Sequence, residues 1–220
     1  MRVLEILSDS NRGGAGVYLE NYAANASPDT EIVAALPQGA MMAGRLRRAG
    51  AQVVECALHA DTSFNRHDVA VLRTCIETFS PDVVHTHGSL SGRIAARLAG
   101  RCKTVYTKHT LSPPRRGIKG RAAAALDNRV TDAVIAVSRA AQDNLLQDGL
   151  DPSKVFLIYN GITGFSPAGP EQKKRAREAL GIPQGGIVAA CVARLEPVKN
   201  HRMLLEAFAQ AACGDGPPLT

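Results

Sequence analysis

The sequence predicts an α/β protein built on a doubly wound, parallel β-sheet. Apolar runs typical of strands recur with helical patterns between them, at residues 2–7, 31–36, 52–57, 82–87, 103–107, 133–137 and 155–159. Several of these runs are continuously apolar rather than alternating, as strands covered on both faces should be. Regular alternation of strands and helices favours a parallel sheet of Rossmann-like type.

Two of the intervening helices are marked by their spacing and end signals. The segment RHDVAVLRTCIETF, residues 66–79, places its apolar side chains three and four residues apart, which puts them on one helix face. The segment SRAAQDNLLQDG begins with Ser138, a favoured N-cap residue, and its terminal glycine suits the end of a helix. Both patterns therefore predict helices that cover the sheet.

The character of the sequence changes near residue 165, where we expect a domain boundary. Residues 1–165 predict one complete domain. Residues 166–220 predict a linker, a charged helix (EQKKRAREAL), a new apolar strand over residues 185–194 and a further helix (NHRMLLEAFAQAAC). This second unit is too short to enclose a core of its own, so we expect an incomplete second α/β domain.

Composition limits the classes of partner. The chain is 45% hydrophobic and 21% charged, which is ordinary for a globular protein, and its 4% aromatic content without Trp disfavours nucleic-acid binding by base stacking. No run is long enough to span a bilayer and no signal segment is found, so we expect a cytoplasmic protein. The scattered cysteines predict structural thiols in a reducing compartment: Cys56, Cys75, Cys102, Cys191 and Cys213.

Positive charge is concentrated in one segment. The formal net charge is +6, yet residues 83–126 alone contain nine Lys or Arg and no Asp or Glu. Such a segment is expected to meet an acidic partner, and we expect peripheral contact with an anionic membrane surface. The basic surface residues that we assign to this contact follow a proline pair in a predicted loop: Arg115, Arg116, Lys119 and Arg121.

A glycine-rich turn separates the first strand from the first helix. Gly13, Gly14 and Gly16 would let the backbone approach a ligand closely, at a helix N-terminus that favours anions. The turn is suited to a phosphate or diphosphate, although a plain tight turn would also contain glycine. Leu19 stands where a dinucleotide fingerprint requires its third glycine, and no Walker loop is present. NAD binding and ATP hydrolysis are therefore disfavoured.

Histidines follow two predicted strands at the edge where open α/β sheets place ligands. His85 and His87 end one strand, and His109 follows the next. The paired histidines could bind a metal, but no acidic or thiol ligand lies nearby in sequence, so we favour hydrogen bonding and expect no metal. A basic loop with His109 as a local hydrogen-bonding residue is the simpler alternative.

Two further turns present cations. Ser138 and Arg139 stand at a strand-to-helix turn, where a helix N-terminus could contact an acceptor or another ligand. Arg194 and Lys199 flank a proline-containing loop and could neutralise a diphosphate, whereas an ordinary pair of surface cations is the alternative.

Taken in order, these motifs resemble a known family. The early GGA loop, DVVHTHG, TKHT, AVSRAAQDNL, VFLIYNGI and ARLEPVKNHRMLLEAFA are similar to the retaining GT-B glycosyltransferases of the GT4 type. The resemblance runs from residue 2 to about residue 212, and the Arg-x4-Lys loop followed by LLEAFA is its most specific part.

The resemblance implies a transferase that moves a sugar from a nucleotide sugar to a carbohydrate or lipid-linked acceptor with retention, as in cell-envelope polysaccharide synthesis. It implies that Gly13 and Gly14 contact the donor diphosphate and that His109 contacts the transferred sugar. It also implies that Arg194 and Lys199 neutralise the leaving diphosphate, so that no metal or other cofactor is needed. The N-terminal domain would mainly bind acceptor, at the inner face of the membrane.

The sequence departs from the family at one point. The downstream Glu-x7-Glu motif is absent, since no two glutamates stand eight residues apart. We therefore expect a fragment or a truncated product, and whether these 220 residues are active alone stays open. The alternatives are a GT-B-type sugar-nucleotide epimerase and a non-catalytic binding module.

Overall fold

The computed structural model describes residues 1–212, with the side chain of the last of these left out. The chain forms two compact units, one from Met1 to Thr163 and a second that begins at Gly164. Cys213, one of the predicted structural thiols, lies outside the described residues. No described helix is both long and apolar enough to cross a membrane.

The first unit contains a parallel sheet of seven strands in the order β3-β2-β1-β4-β5-β6-β7. All neighbouring strands run parallel, which confirms the predicted doubly wound fold. Every predicted strand of this unit is present, with ends that shift by one or two residues. The strands are β1 Arg2–Leu7, β2 Glu31–Pro37, β3 Gln52–Cys56, β4 Val83–His87, β5 Lys103–Lys108, β6 Ala133–Ala136 and β7 Val155–Leu157.

Helices connect the strands in the order that the sequence predicts. The two helices with the clearest patterns form over Arg66–Phe79 and over Arg139–Gln147, and Ser138 caps the latter with its side chain. The helices of this unit are α1 Gly14–Ala24, α2 Ala43–Arg48, α3 Arg66–Phe79, α4 Leu90–Ala99, α5 Gly117–Val130 and α6 Arg139–Gln147.

The core lies on both faces of the sheet because successive side chains of a strand point in opposite directions. On β1, Leu4 and Ile6 belong to one buried cluster with Leu72 and Ile76 of α3. Leu7 belongs to a second cluster, with residues of α1, β2 and α2. Glu5 lies on the same face of β1 as Leu7, and it is completely buried. A carboxylate at the centre of the sheet requires partners.

Two cysteines that are distant in sequence meet in this fold. The Sγ atoms of Cys56 and Cys75 lie 3.4 Å apart, at the end of β3 and on α3. Both are free thiols. Their contact lowers the pKa of Cys75 to about 7 and raises that of Cys56.

The second unit contains α7 Pro170–Ala179 and α8 His201–Ala212, which agree closely with the predicted helical segments. The predicted strand over residues 185–194 is wrong: Ile187 has a single bridge, and the rest of this range has no strand. A strand needs a neighbour to satisfy its backbone groups. The apolar side chains of this region are exposed instead, with Val192 at 99% and Leu195 at 90%.

Part of the predicted basic loop is helical. The two prolines at positions 113 and 114 keep the chain irregular, but α5 begins soon afterwards at Gly117. Lys119 and Arg121 therefore lie in the first two turns of a helix, whereas Arg115 and Arg116 precede it. The predicted loop was too long, because the helix-breaking effect of the two prolines ends before Gly117.

Candidate functional site

Buried polar side chains form a continuous row at the carboxyl edge of the sheet. The row contains Glu5 from β1, His85 and His87 from β4, Thr107 from β5, and His109 from the loop that follows β5. All are buried except His109, which is half-buried. The structure thus brings all three predicted histidines into one cluster.

Strand register explains why these residues meet. Parallel pairing places Glu5 beside His85 and Leu7 beside His87, and paired residues share a face of the sheet. The next pairing sets His85 beside Val105, so Thr107 and His109 continue along the same face. The chain leaves β1 toward β2 on one side and leaves β4 toward β5 on the other. The cluster therefore lies at the topological switch point, where open α/β sheets bind ligands.

Hydrogen bonds connect the row from one end to the other. His85 Nε2 lies 2.7 Å from Thr107 Oγ1, and His85 Nδ1 lies 3.1 Å from Glu5 Oε1. Glu5 Oε2 lies 2.8 Å from His87 Nε2. His87 Nδ1 lies 2.9 Å from His109 Nε2. Glu5 therefore contacts two histidines, and one of these, His87, contacts His109.

Burial and these contacts set the charges of the row. Burial alone raises the pKa of Glu5, but the charge and hydrogen bonds of His85 and the hydrogen bond of His87 lower it to about 2. Burial lowers the pKa of His87. The pKa of His109 is lowered to about 3 by burial and by the neighbouring histidines. At neutral pH the row thus contains an ionised Glu5 and neutral His87 and His109.

Tyr18 of α1 packs over this row. Its ring centroid lies 5.4 Å from that of His87 and 5.2 Å from that of His109. Burial and the nearby Glu5 raise the pKa of the Tyr18 hydroxyl, which therefore stays protonated. The tyrosine ring therefore packs against the histidines from the side of α1.

The middle of this row is a candidate position for a metal. Among the described residues, Glu5, His85 and His87 are the group whose ligand atoms all lie within 4.8 Å of one another. Two imidazoles and a carboxylate form a set that zinc accepts. The same nitrogens already hydrogen-bond to the carboxylate, however, and the direct hydrogen bonds account for the geometry without an ion.

The glycine turn after β1 contains glycines with two different roles. Gly13 caps α1, and a Cβ atom on Gly14 would meet nothing within 4 Å. A Cβ atom on Gly16 would lie 2.7 Å from Cγ of Met42, so this glycine is needed for the packing of α1 on the residue before α2. Space for a ligand is thus available at Gly14, at the start of a helix.

An acid borders this turn. A Cβ atom on Gly13 would lie 3.4 Å from the Asp9 carboxylate. Burial and the neighbouring Asp61 raise the pKa of Asp9. Gly14 is therefore better placed for an anionic ligand than Gly13.

Ser138 and Arg139 have separate roles in the fold. The Ser138 hydroxyl accepts a hydrogen bond from the backbone N–H of Ala141, at 3.1 Å, and so caps the N-terminus of α6. Arg139 is exposed on the first turn of that helix. Their turn lies after β6, at the same edge of the sheet as the histidine row.

Arg194 and Lys199 lie in the second unit. Arg194 Nη1 pairs with Glu196 at 2.7 Å, and its side chain is largely exposed. Lys199 ends a short 3-10 helix that begins at Pro197. A turn thus separates the two cations, as the sequence predicts.

The basic segment is only partly free. Arg115 pairs with Asp127 and Asp148, which both lie outside the acid-free range of the sequence. Arg93 pairs with Asp127 at 2.8 Å, and Lys108 pairs with Asp148 at 3.6 Å. Within the described part of the chain, Arg116, Lys119 and Arg121 make no ion pair. The expected surface of four free cations is thus reduced to three.

Three residues at the row were not predicted from the sequence: Glu5, Tyr18 and Thr107. Glu5 carries a signal, because it is a lone acid between apolar residues in a strand of a buried parallel sheet. Such a residue needs a partner, and the neighbouring strand supplies two. Tyr18 and Thr107 carry no comparable signal, since each is ordinary for its helix or strand.

Comparisons with known proteins agree with the fold. The sequence model of Glycosyltransferase Family 4 matches residues 12–163. The D-inositol 3-phosphate glycosyltransferase of Corynebacterium kroppenstedtii is 29% identical over 152 residues, which are 60% of this chain and 33% of that protein. The crystal structure of Anabaena HepE in complex with UDP and glucose superposes with a TM-score of 0.76 at 24% identity, covering 100% of this chain and 59% of that one.

A glycosyltransferase from Rickettsia africae has the same fold. It superposes with a TM-score of 0.74 at 17% identity, covering 97% of this chain and 58% of that one. This chain spans about a third of the length of the curated relatives and about three fifths of these solved structures.

Proposed function

Because the chain belongs to Glycosyltransferase Family 4, we propose that it supplies the acceptor-side domain of an enzyme that transfers a sugar from a nucleotide sugar with retention. The observation that carries this proposal is the match of the family to residues 12–163, which contain the three histidines at the switch point of the sheet. The domain comprises about residues 1–165, and residues 166–220 begin a donor-binding domain.

The donor that we propose is a sugar linked to a nucleoside diphosphate. The turn at Gly14 is open, and the N-terminus of α1 offers backbone N–H groups to an anion. The solved structure of HepE contains UDP and glucose, which supports a uridine diphosphate sugar as the first donor to test.

The acceptor that we propose is a hydroxyl group of a carbohydrate or of a lipid-linked sugar. The curated relatives are named for transfer to D-inositol 3-phosphate, a phosphorylated polyol. An acceptor with negative charge would agree with the surplus of cations between residues 83 and 126.

Transfer breaks the bond between the anomeric carbon and the diphosphate and forms a bond to the acceptor oxygen, whose hydroxyl proton passes to the leaving diphosphate. Negative charge then develops on the leaving diphosphate, while the sugar gains oxocarbenium character. In the proposed mechanism Arg194 and Lys199 neutralise the leaving group and His109 contacts the transferred sugar. Two cations can do this without a metal.

The test is a turnover assay on the full-length enzyme. Nucleotide sugars are supplied with and without candidate acceptors, and released nucleotide, glycosylated product and isomerised donor are measured separately. Transfer that requires an acceptor supports the proposal. Isomerisation of the donor without an acceptor would instead indicate a sugar-nucleotide epimerase, and binding without turnover would indicate a non-catalytic module.

Arg194 offers a sharper test of the mechanism. In the full-length enzyme, Arg194→Ala should lower kcat by about 10²–10³, because a preorganised charge-stabilising group is lost. Arg202→Ala, which removes another exposed arginine of the same unit, is the matched control and should change kcat little. A rise in KM alone for Arg194→Ala would mean that this residue binds ground and transition states equally.

A further inference from the structure

Glu5 occupies an unusual position in the histidine row. Its side chain is 0% exposed, so it cannot contact a substrate from solvent. Its two carboxylate oxygens contact His85 Nδ1 and His87 Nε2. It therefore acts on any bound ligand only through the histidines.

The hydrogen bonds determine which nitrogens carry protons. An ionised carboxylate only accepts, so His87 Nε2, 2.8 Å from Glu5, must donate. A neutral imidazole has one N–H, which leaves His87 Nδ1 as an acceptor. Its partner at 2.9 Å is His109 Nε2, which must therefore donate. This order holds whether or not His85 is protonated.

The order leaves one atom of His109 without a proton. When neutral His109 donates from Nε2, its Nδ1 carries a lone pair. Among the described residues, no hydrogen bond to this Nδ1 occurs, and the side chain is only half-buried. His109 thus offers a hydrogen-bond acceptor to a ligand at the carboxyl edge of the sheet.

We propose that Glu5 is a positioning residue that fixes the tautomer of His109 through His87, so that His109 accepts a hydrogen bond from a substrate hydroxyl. The proposal deepens the proposed function and rests on it for the identity of the substrate. An Nδ1 lone pair selects a sugar hydroxyl at this position and rejects a phosphate or carboxylate oxygen, which offers no proton.

The substitution Glu5→Gln tests this order with little change in shape. An amide has one accepting and one donating end, whereas the carboxylate only accepts. When the donating end faces His87 Nε2, the proton of His87 moves to Nδ1. His109 must then accept at Nε2 and carry its proton on Nδ1. The group presented to the substrate changes from an acceptor to a donor.

The measurement is the imidazole tautomer, read from two-bond proton–nitrogen correlation spectra of the full-length protein with ¹⁵N-labelled histidine. In the wild type, His87 and His109 should both be Nε2–H tautomers. In Glu5→Gln, His109 should shift toward the Nδ1–H tautomer, and sugar transfer should fall about tenfold to a hundredfold because the hydroxyl loses its acceptor.

Thr107→Val is the matched control. It removes a hydrogen bond from the same buried row, but at the far end, on His85. The tautomer of His109 should stay as in the wild type even if the variant is less stable. Glu5→Asp keeps an acceptor-only group and should also keep the wild-type tautomer.

Several results would overturn the proposal. These are an Nδ1–H or doubly protonated His109 in the wild type, an unchanged His109 tautomer in a folded Glu5→Gln variant whose side-chain NH2 faces His87, or a stoichiometric metal on the row. The wild-type spectrum decides by itself if Glu5→Gln does not fold. A tautomer change in an otherwise inactive full-length protein would support the role of Glu5 while contradicting the proposed transferase function.

Discussion

Single residues of this chain act through groups that lie far away in sequence. Glu5 is 80 residues from His85 in sequence. Their contact makes Glu5, a residue of a core strand, part of the candidate site. The glycine turn shows the same dependence on context. Gly14 and Gly16 are neighbours in sequence, but one borders open space and the other borders Met42.

This difference gives a prediction for the turn. In the full-length enzyme, Gly14→Val should leave the protein folded but strongly reduce donor affinity or turnover, because a β-branched side chain would stand where the diphosphate approaches. Donor binding measured by calorimetry and turnover measured with the same nucleotide sugar would show the loss. An unchanged kinetic profile would remove Gly14 from the donor site.

Gly16→Ala is the contrasting variant. Its added methyl group would collide with Met42, and such overpacking typically costs about 1–3 kcal/mol of unfolding free energy. Urea unfolding should therefore detect Gly16→Ala and leave Gly14→Val close to the wild type.

At the scale of elements, a buried charge network connects α4, the loop after β5 and α5. Arg93 of α4 is 5% exposed and pairs with Asp127 of α5, which also pairs with Arg115 of the loop. The Arg93 guanidinium also lies 4.5 Å from the ring centroid of Tyr106 on β5. This network holds the loop that begins at His109.

Removal of one carboxylate should therefore be costly. Asp127→Ala would leave the Arg93 charge buried without its partner, and the unfolding free energy should fall by about 3–5 kcal/mol. Glu77→Ala, which breaks the exposed pair with Arg73, should cost less than about 0.5 kcal/mol. Equal losses in urea unfolding would mean that the network does not hold the loop.

The start of α5 presents cations where a helix favours anions. Lys119 and Arg121 lie in its first two turns, close to the partial positive charge of the helix N-terminus. Ile118, directly before Lys119, is 86% exposed, and Leu111 is exposed in the preceding loop. Cations around exposed apolar side chains are typical of a surface that contacts an anionic membrane.

We expect this chain to sediment with anionic vesicles at low salt and to be released at high salt. Each free cation near the bilayer contributes about 1 kcal/mol, so Arg116, Lys119 and Arg121 together contribute about 3 kcal/mol. Their triple Ala variant should lose binding, whereas replacing Arg73 of α3, which pairs with Glu77, by Ala should not. Absence of binding at low salt would favour an acidic acceptor in solution.

At the scale of the whole molecule, the histidine row connects stability to pH. The native state holds the pKa of Glu5 at about 2 and that of His109 at about 3. In an unfolded chain these groups have their ordinary pKa values of 4.5 and 6.5. The native state thus binds fewer protons than the unfolded state between these values. The free energy of unfolding must therefore decrease as the pH is lowered.

The two groups act in different pH windows. His109 stays neutral in the native state but becomes protonated in the unfolded chain below pH 6.5. The free energy of unfolding therefore falls as the pH is lowered from 6.5 to about 3. Ionised Glu5 contributes about 3 kcal/mol above pH 4.5, which is lost as the pH falls toward 2. Thermal unfolding at pH 7.5, 5.5 and 4.5 should show falling Tm values, in buffers held at roughly constant ionic strength near 0.1 M. His109→Gln should flatten the decline, and an equally steep decline would contradict this assignment.

The sequence by itself determined the local structure of the first unit and the positions of the candidate residues. The strands, the capped α6 and the glycine turn were predicted because hydrophobic periodicity, capping and backbone freedom are properties of neighbouring residues. The family resemblance was confirmed by the match to residues 12–163. The strand over residues 185–194 was wrong, because apolar residues form a strand only beside another strand.

Only the tertiary structure decided which distant side chains meet. The strand order places β1 beside β4, and this pairing puts Glu5 against His85 and His87. The same packing neutralises Arg115 through Asp127 and brings Cys56 to Cys75. Periodicity shows which face of an element is buried but not which element covers it. The proton order that prepares His109 depends on which strand pairs with β1, and so it could not be predicted from the sequence.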